Sequence, residues 1–227
     1  MLARRAEIAR EKKAETSMRL LQAAFEVLGH EEGRDMQIDD LLSHVGMARG
    51  TFYNYFESRE HLFNVLSFEC NHGLDEALAK DVEPPLWACQ AIRIYLHRAA
   101  EDPAWGWAMV NMSLNGPRIL GEDTWRHAEN TLRAGMESGD FKIASLRVGM
   151  DLVMGTALSA ILSILRGETD PDHPERIACG LLLSLGVPPA RAERLSRMPL
   201  PPIPMGNPRF GRSPVSAILP SRRPRRS

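Results

Sequence analysis

The stretch that most restricts this chain is residues 38–63. Ile38, Leu41, Leu42 and Val45 recur at i, i+3, i+4 and i+7, the spacing that lines one side of a helix. Asp39 and Asp40 fall in its first turn, where negative charge suits the helix dipole. Gly46 follows, a residue able to take the left-handed backbone that ends a helix and opens a tight turn. Beyond the turn, Phe52 and Phe56 lie four apart and need a core. Gly50, Tyr53 and Asn54, with Arg49 and Thr51 at the helix start, make a second face of amide, phenol, hydroxyl and guanidinium groups. Leu21, Ala24, Phe25 and Leu28 predict a preceding helix that covers the pair, closed by Gly33, and Met47 is expected to turn back into the core. Ser58 stands where it caps a fourth helix carrying Leu62, Phe63 and Leu66, expected to run to about residue 80. Two short helices across a tight turn, apolar behind and polar in front, are helix-turn-helix architecture, and such a front suits the major groove of DNA.

These residues also carry a likeness. Ala23-Ala24, Gly33, Asp40, Gly46, Arg49-Gly50-Thr51, Tyr53, Tyr55-Phe56, Arg59 and Leu62, in unbroken spacing, resemble the N-terminal DNA-binding domain of the TetR/AcrR family of bacterial transcriptional regulators. The likeness covers residues 16–66. It implies a dimeric repressor, bound to double-stranded DNA at a palindromic operator and released by a small apolar effector through a shift of the fourth helix. The recognition helix would span residues 49–55. Arg49 and Asn54 are the candidates for base edges, since a guanidinium suits guanine and an amide suits adenine. Thr51, Tyr53, Tyr55 and Arg59 are candidates for phosphate contacts, and Gly50 for close backbone approach. Packing within the domain is the other reading of both tyrosines. Three positions depart from the family pattern: Arg34 where an aromatic is usual, Gln37 where threonine is common, and Asp39 where a base is common. Gln37 keeps a donor for a phosphate or a base. Asp39 would repel phosphate, so no DNA contact is carried onto it.

Charge is unevenly spread. The net charge of −1 divides into +3 over residues 1–19, +6 over residues 198–227 and −10 over the body between. Even residues 20–66 hold eight acids against three bases. Phosphate must be neutralised by something, so residues 1–15 read as a basic arm supplying that attraction. Residues 198–227, with eight prolines and six arginines, cannot build a core. That tail is either a solvated end or a nonspecific clamp on nucleic acid.

The rest reads as helices, so the expected class is all-α, with a ligand-binding and dimerisation domain over residues 67–197. Proline pairs and breaks at Pro84-Pro85, Asp102-Pro103, Asn115-Gly116-Pro117 and Gly139-Asp140 divide it, and Asp172 stands where it caps a late helix. The segment 143–166 is apolar nearly all round and 174–186 adds more. A deep intrachain core explains such width, and so does a two-fold four-helix dimer interface, which the family likeness favours. Trp105, Trp107, Met109, Met112, Met136, Phe141, Met150 and Met154 are candidates to line an apolar pocket, with His97, Asn111 and His127 as polar anchors. Core packing is the competing reading of each.

Other classes find little support. No paired carboxylates, Ser/His/Asp set, phosphate loop, cofactor motif or metal-ligand spacing is present, so an enzyme is not expected. A sequence-indifferent DNA binder would need bases across the helix-turn-helix, where this chain has acids. Cys70, Cys89 and Cys179 read as small buried residues. The longest uncharged apolar run, residues 152–165, is too short and polar to span a bilayer, and residues 1–15 lack the apolar core of a secretory signal, so a cytoplasmic location is expected.

Overall fold

A computed structural model describes residues 2–74, 78 and 82–202. Among these the chain is all-α, with no strand. The helices are α1 (Leu2–Leu28), α2 (Ile38–Val45), α3 (Arg49–Phe52), α4 (Arg59–Asn71), α5 (Pro84–Glu101), α6 (Pro103–Asn115), α7 (Glu122–Ser138), α8 (Leu146–Leu165), α9 (His173–Ser184) and α10 (Pro189–Ser196). The Pro/Arg-rich tail expected over residues 198–227 lies outside the described residues from position 203 onward.

The first four helices form around a compact apolar cluster. Leu20, Leu21, Ala24, Phe25 and Leu28 of α1 meet Leu41 and Leu42 of α2, Phe52, Phe56 and the apolar face of α4. Residues 2–15, read from the sequence as an arm ahead of the first helix, are instead helical turns of α1, with Arg4, Lys12 and Lys13 exposed. Gly33 does not close α1. That helix ends at Leu28, and Gly33 sits in a 3-10 turn, Glu31–Asp35, where an added Cβ would come within 2.3 Å of the Val27 carbonyl oxygen. Gly46 does take the left-handed conformation, at φ +66, and its N–H closes the end of α2 on the Leu42 and Ser43 carbonyls. Ser58 caps α4, its Oγ accepting from the His61 N–H at 3.1 Å. The expected continuation of α4 to residue 80 is interrupted: the helix ends at Asn71, followed by Gly73 at φ +87, and residues 75–77 and 79–81 are outside the described set.

The larger helical body is punctuated as its prolines dictate. Pro84 opens α5, and Pro103 opens α6 behind Asp102, whose Oδ1 accepts from the Trp105 N–H at 3.1 Å. Asp172 makes no side-chain cap on α9. The two groups of helices share one core. Asn111 of α6 donates to the carbonyls of Leu28 and His30 at 2.9 and 2.8 Å, closing the end of α1, and Trp105 donates to the Cys70 carbonyl on α4 at 3.1 Å. An ionic cluster holds α5 against α9. Arg93 is buried and donates to Glu175 Oε1 from Nε at 3.2 Å and from Nη2 at 2.9 Å, and His97 Nε2 meets the same oxygen at 2.9 Å. Cys70 and Cys89 are buried and Cys179 is half-buried. Burial pushes the Cys89 thiol up to about 11.

α8 has a mean hydropathy of 1.9 and is, among the described residues, the helix long and apolar enough to cross a membrane by length and composition. Its inner stripe, Met150, Met154, Ala157 and Ile161, belongs to the protein core. Val148 is exposed, and Leu152, Leu158, Leu162 and Leu165 are partly so.

Candidate nucleic-acid interface and effector cavity

The turn after α2 sets α3 at the surface with its two faces separated. Phe52 and Phe56 are fully buried, their rings 5.6 Å apart, and Phe56 meets His61 edge-on at 5.8 Å. Arg49, Gly50, Tyr53 and Asn54 are exposed. α3 itself spans four residues, and N–H groups of Asn54 and Tyr55 then bond the carbonyls of Thr51 and Phe52 at 3.1 and 2.9 Å. The continuation over residues 53–55 is therefore made of tighter i to i+3 turns. A Cβ built on Gly50 meets nothing within 4 Å, so the fold itself does not require glycine there.

The remaining candidates on this surface differ in freedom. Arg49 Nη1 donates to Asp39 Oδ2 of α2 at 3.0 Å. Donation to the Tyr53 hydroxyl and the Asp39 charge both hold the guanidinium in its protonated form. The Gln37 side-chain amide donates to the Asp35 carbonyl at 3.0 Å, while its N–H donates to Asp40 Oδ2 at 2.9 Å, fixing the start of α2. Arg59 is part-buried, donating to the Met36 carbonyl at 3.3 Å and lying 5.6 Å over the Phe63 ring. Thr51 and Tyr55 are half-buried, and Tyr55 packs against the core.

In the larger body, a cavity of about 50 Å³ opens between α5, α7 and α8. Trp87, Ala88, Ala91 and Ile92 line it from α5, Ala128 and Leu132 from α7, and Val153, Met154 and Ala157 from α8. Tyr95, Thr124, His127 and Thr131 are the polar residues of an otherwise apolar lining, and among the described residues no lysine, arginine or carboxylate lines it. The Tyr95 hydroxyl lies 2.7 Å from Thr124 Oγ1. The same Thr124 oxygen accepts from the buried amide of Asn71, the last residue of α4, at 3.1 Å. Asn71 donates also to the Leu120 carbonyl at 3.0 Å. Leu120 lines the cavity and, among the described residues, is the non-glycine residue with positive φ, at +61. Such a conformation costs a leucine roughly 1–2 kcal/mol and is held here by its bonds to Asn71 and to Ser113, whose Oγ accepts from the Leu120 N–H at 2.9 Å.

Of the residues expected to form a pocket, His127 and Met154 line this cavity. Trp105, Met109, Met112 and Met150 do not: each is buried in the core, Trp105 against Tyr95 at 5.5 Å and Met112 beneath the Ser67 hydroxyl at 3.4 Å. Trp107 is half-buried on α6 and also lies outside it. Met136 and Phe141 do not line it either; Phe141 fills the space beside Gly135. Asn111 and His97 are committed to the interhelical bonds described above. Sequence reasoning misses Tyr95, Thr124 and Asn71. The signal that could have found the cavity is a set of small residues, Ala88, Ala91, Ala128 and Ala157, because large side chains fill space and small ones facing each other leave it.

Residues 20–66 match the family of bacterial regulatory proteins of the tetR type, and residues 84–197 match the tetracyclin repressor-like C-terminal domain. No curated protein sequence matches the chain. Among solved structures, RolR in complex with resorcinol is similar at 26% identity and a TM-score of 0.60, covering 86% of this chain and 99% of its own. RolR without ligand gives 27% and 0.59, covering 82% and 99%. TylP, a TetR regulator from Streptomyces fradiae, shares the fold at 20% identity and a TM-score of 0.53, covering 82% of this chain and 92% of its own. The helix-turn-helix, the all-helical body behind it and the two family matches together show that this chain belongs to the TetR family of transcriptional regulators.

Proposed function

We propose that the chain is a dimeric repressor that holds a palindromic operator and lets go of it when a small, uncharged, hydroxylated aromatic compound enters the cavity between α5, α7 and α8. The observation that carries the DNA half is the division of α3 and the turns that continue it to residue 56, with Phe52 and Phe56 fully buried and Arg49, Gly50, Tyr53 and Asn54 exposed. Arg49 and Asn54 read base edges in the major groove. Tyr53 and Thr51 bond phosphate, and Gly50 leaves room for the backbone to come close. Gln37, Tyr55 and Arg59 work chiefly from behind, setting the angle of α2, α3 and α4. Exposed bases on the first turns of α1 add attraction that does not depend on sequence.

The outer stripe of α8 and α9 is the dimer face in this reading. Val148 and Leu183 are exposed apolar residues, and Gly155 and Gly180 have open space where a Cβ would stand. Small residues on such a stripe let two helices of a second copy approach closely, and a two-fold axis then presents two α3 helices to one face of DNA.

For the effector, the apolar walls supply affinity, and Tyr95, Thr124 and His127 supply direction. Among the described residues the lining carries no charge, and the apolar walls favour an uncharged compound. RolR, similar over nearly its whole length, binds resorcinol, an aromatic diol, which fits this chemistry. A ligand hydroxyl that bonds Thr124 competes with Asn71 for the same oxygen. Asn71 ends α4, and α4 packs against the core of the helix-turn-helix, so the competition bears on where α3 sits. The test uses resorcinol as probe in a gel-shift on DNA selected by the chain from a randomised duplex pool. Wild type should release the DNA as resorcinol rises, and Thr124→Val should bind DNA equally well while losing the response. Release of Thr124→Val at the wild-type resorcinol concentration contradicts the coupling.

A further inference from the structure

We infer that Asp39 is a specificity-determining positioning residue: it holds the Arg49 guanidinium for base reading while cancelling the attraction that Arg49 would otherwise offer to any phosphate. The inference rests on the DNA-binding role of α3 proposed above.

Three observations meet here. First, Asp39 and Arg49 lie on different helices, across the turn, and join at 3.0 Å. Second, both side chains remain more than half exposed, at 65% and 62%, so the pair stands on the surface that carries Tyr53 and Asn54. Third, the surrounding segment is acidic, with eight acids against three bases over residues 20–66, and Asp40 is the next residue.

An exposed pair of this kind has little to do with stability. Its consequences lie in what Arg49 can do. Arginine has five N–H donors in a rigid fork on a long flexible stem. Engaging one of them with Asp39 limits the stem's rotamers and leaves the other donors for guanine O6 and N7. Less freedom is then lost when the bidentate bond forms. Toward the DNA backbone the pair is neutral. Phosphate attraction is indifferent to sequence, so removing one charge from it weakens binding everywhere. At the operator the restrained base contact compensates; on other DNA nothing does. The acid at a position where phosphate repulsion is expected thus widens the gap between right and wrong sites.

The experiment uses the full chain and two duplexes: one selected by wild type from a randomised pool, and a scrambled duplex of the same composition. Asp39→Asn should raise affinity for scrambled DNA by about tenfold near 0.1 M salt and steepen the salt dependence by about one charge. Operator affinity should change less, so the operator-to-scrambled ratio falls. Asp39→Glu should restore much of the ratio. In an Arg49→Ala background, Asp39→Asn should leave the ratio unmoved, because the residue works through Arg49. Thermal melting of each variant separates these effects from loss of fold. An unchanged ratio in Asp39→Asn overturns the inference. So does a loss of preference confined to one base pair that persists without Arg49, which would instead assign Asp39 a direct contact with cytosine. If wild type itself shows no preference for any selected duplex, the proposed DNA-reading role fails, which is a separate result.

Discussion

Arg49 and Arg93 each meet a carboxylate at nearly the same distance, 3.0 and 2.9 Å, in opposite surroundings. The Arg49 side chain is 62% exposed and its partner Asp39 65%; Arg93 is 7% exposed and Glu175 27%. The buried pair ties α5 to α9 and adds a third arm to the Met198 carbonyl at 2.6 Å. Removing one partner there strands the other in a low-dielectric interior. Around Arg49 water solvates whatever is left unpaired, so the same chemistry contributes little to folding and stays available to a ligand. The contrast runs through the molecule. The helix-turn-helix end keeps Arg49, Tyr53 and Asn54 outside and its phenylalanines inside, whereas the larger body buries charges and polar networks to fix its helices.

The sharpest form of this contrast lies within one turn of chain. Phe56→Ala should cost about 3–5 kcal/mol in denaturant unfolding, the usual cost of truncating a buried aromatic, while Tyr53→Phe should leave the midpoint in place. Comparable loss in both would erase the distinction between the two faces of α3. Next in size is Glu175→Ala, expected to lose about 3 kcal/mol by leaving Arg93 buried without its carboxylate.

Glu175 also gives the pair a pH signature. Burial alone would raise its carboxyl, but hydrogen bonds from His97 and Arg93 outweigh that and pull it below its ordinary value of 4.5. A carboxyl lowered in the folded chain adds stability that is complete above 4.5 and is lost as pH falls through the lowered value. Glu175→Gln should therefore flatten the acid side of a melting-temperature profile, and a profile parallel to wild type below pH 4.5 contradicts it.

A smaller effect is expected at α1. Removing residues 1–15 should weaken binding to all duplexes alike and flatten the salt dependence by roughly 0.9 for each phosphate that is no longer neutralised. An unchanged salt slope would assign the attraction elsewhere. Smallest in stability terms is Ala157→Leu, which adds bulk to the cavity wall. It should reduce resorcinol response at least tenfold while leaving operator binding at the wild-type level.

The two regions also differ in how far they can be read from sequence. Aromatics spaced four apart, an acidic first turn, a left-handed glycine and a serine cap are local signals, and each has its place at Phe52 and Phe56, Asp39, Gly46 and Ser58. Gly33 misleads because its close approach to the Val27 carbonyl depends on a neighbour that sequence does not show. The cavity is hidden for a deeper reason. Trp105 and Met109 are conspicuous because they are large, and large residues end up filling space. The groups that face the opening, Tyr95 and Thr124, stand on separate helices and meet at 2.7 Å only after the body has packed. The Arg49–Asp39 bond likewise needs the turn to be built before the two can meet.

The most direct test is the affinity of Arg49→Ala for the selected duplex and for its scrambled counterpart, measured on protein shown to melt like wild type. The account predicts that scrambled affinity falls about tenfold near 0.1 M salt, because Asp39 is left as an unpaired anion, and that operator affinity falls at least tenfold more than that, because base reading is lost as well. Equal operator affinity in Arg49→Ala and wild type would contradict it and move DNA reading away from the exposed face of α3.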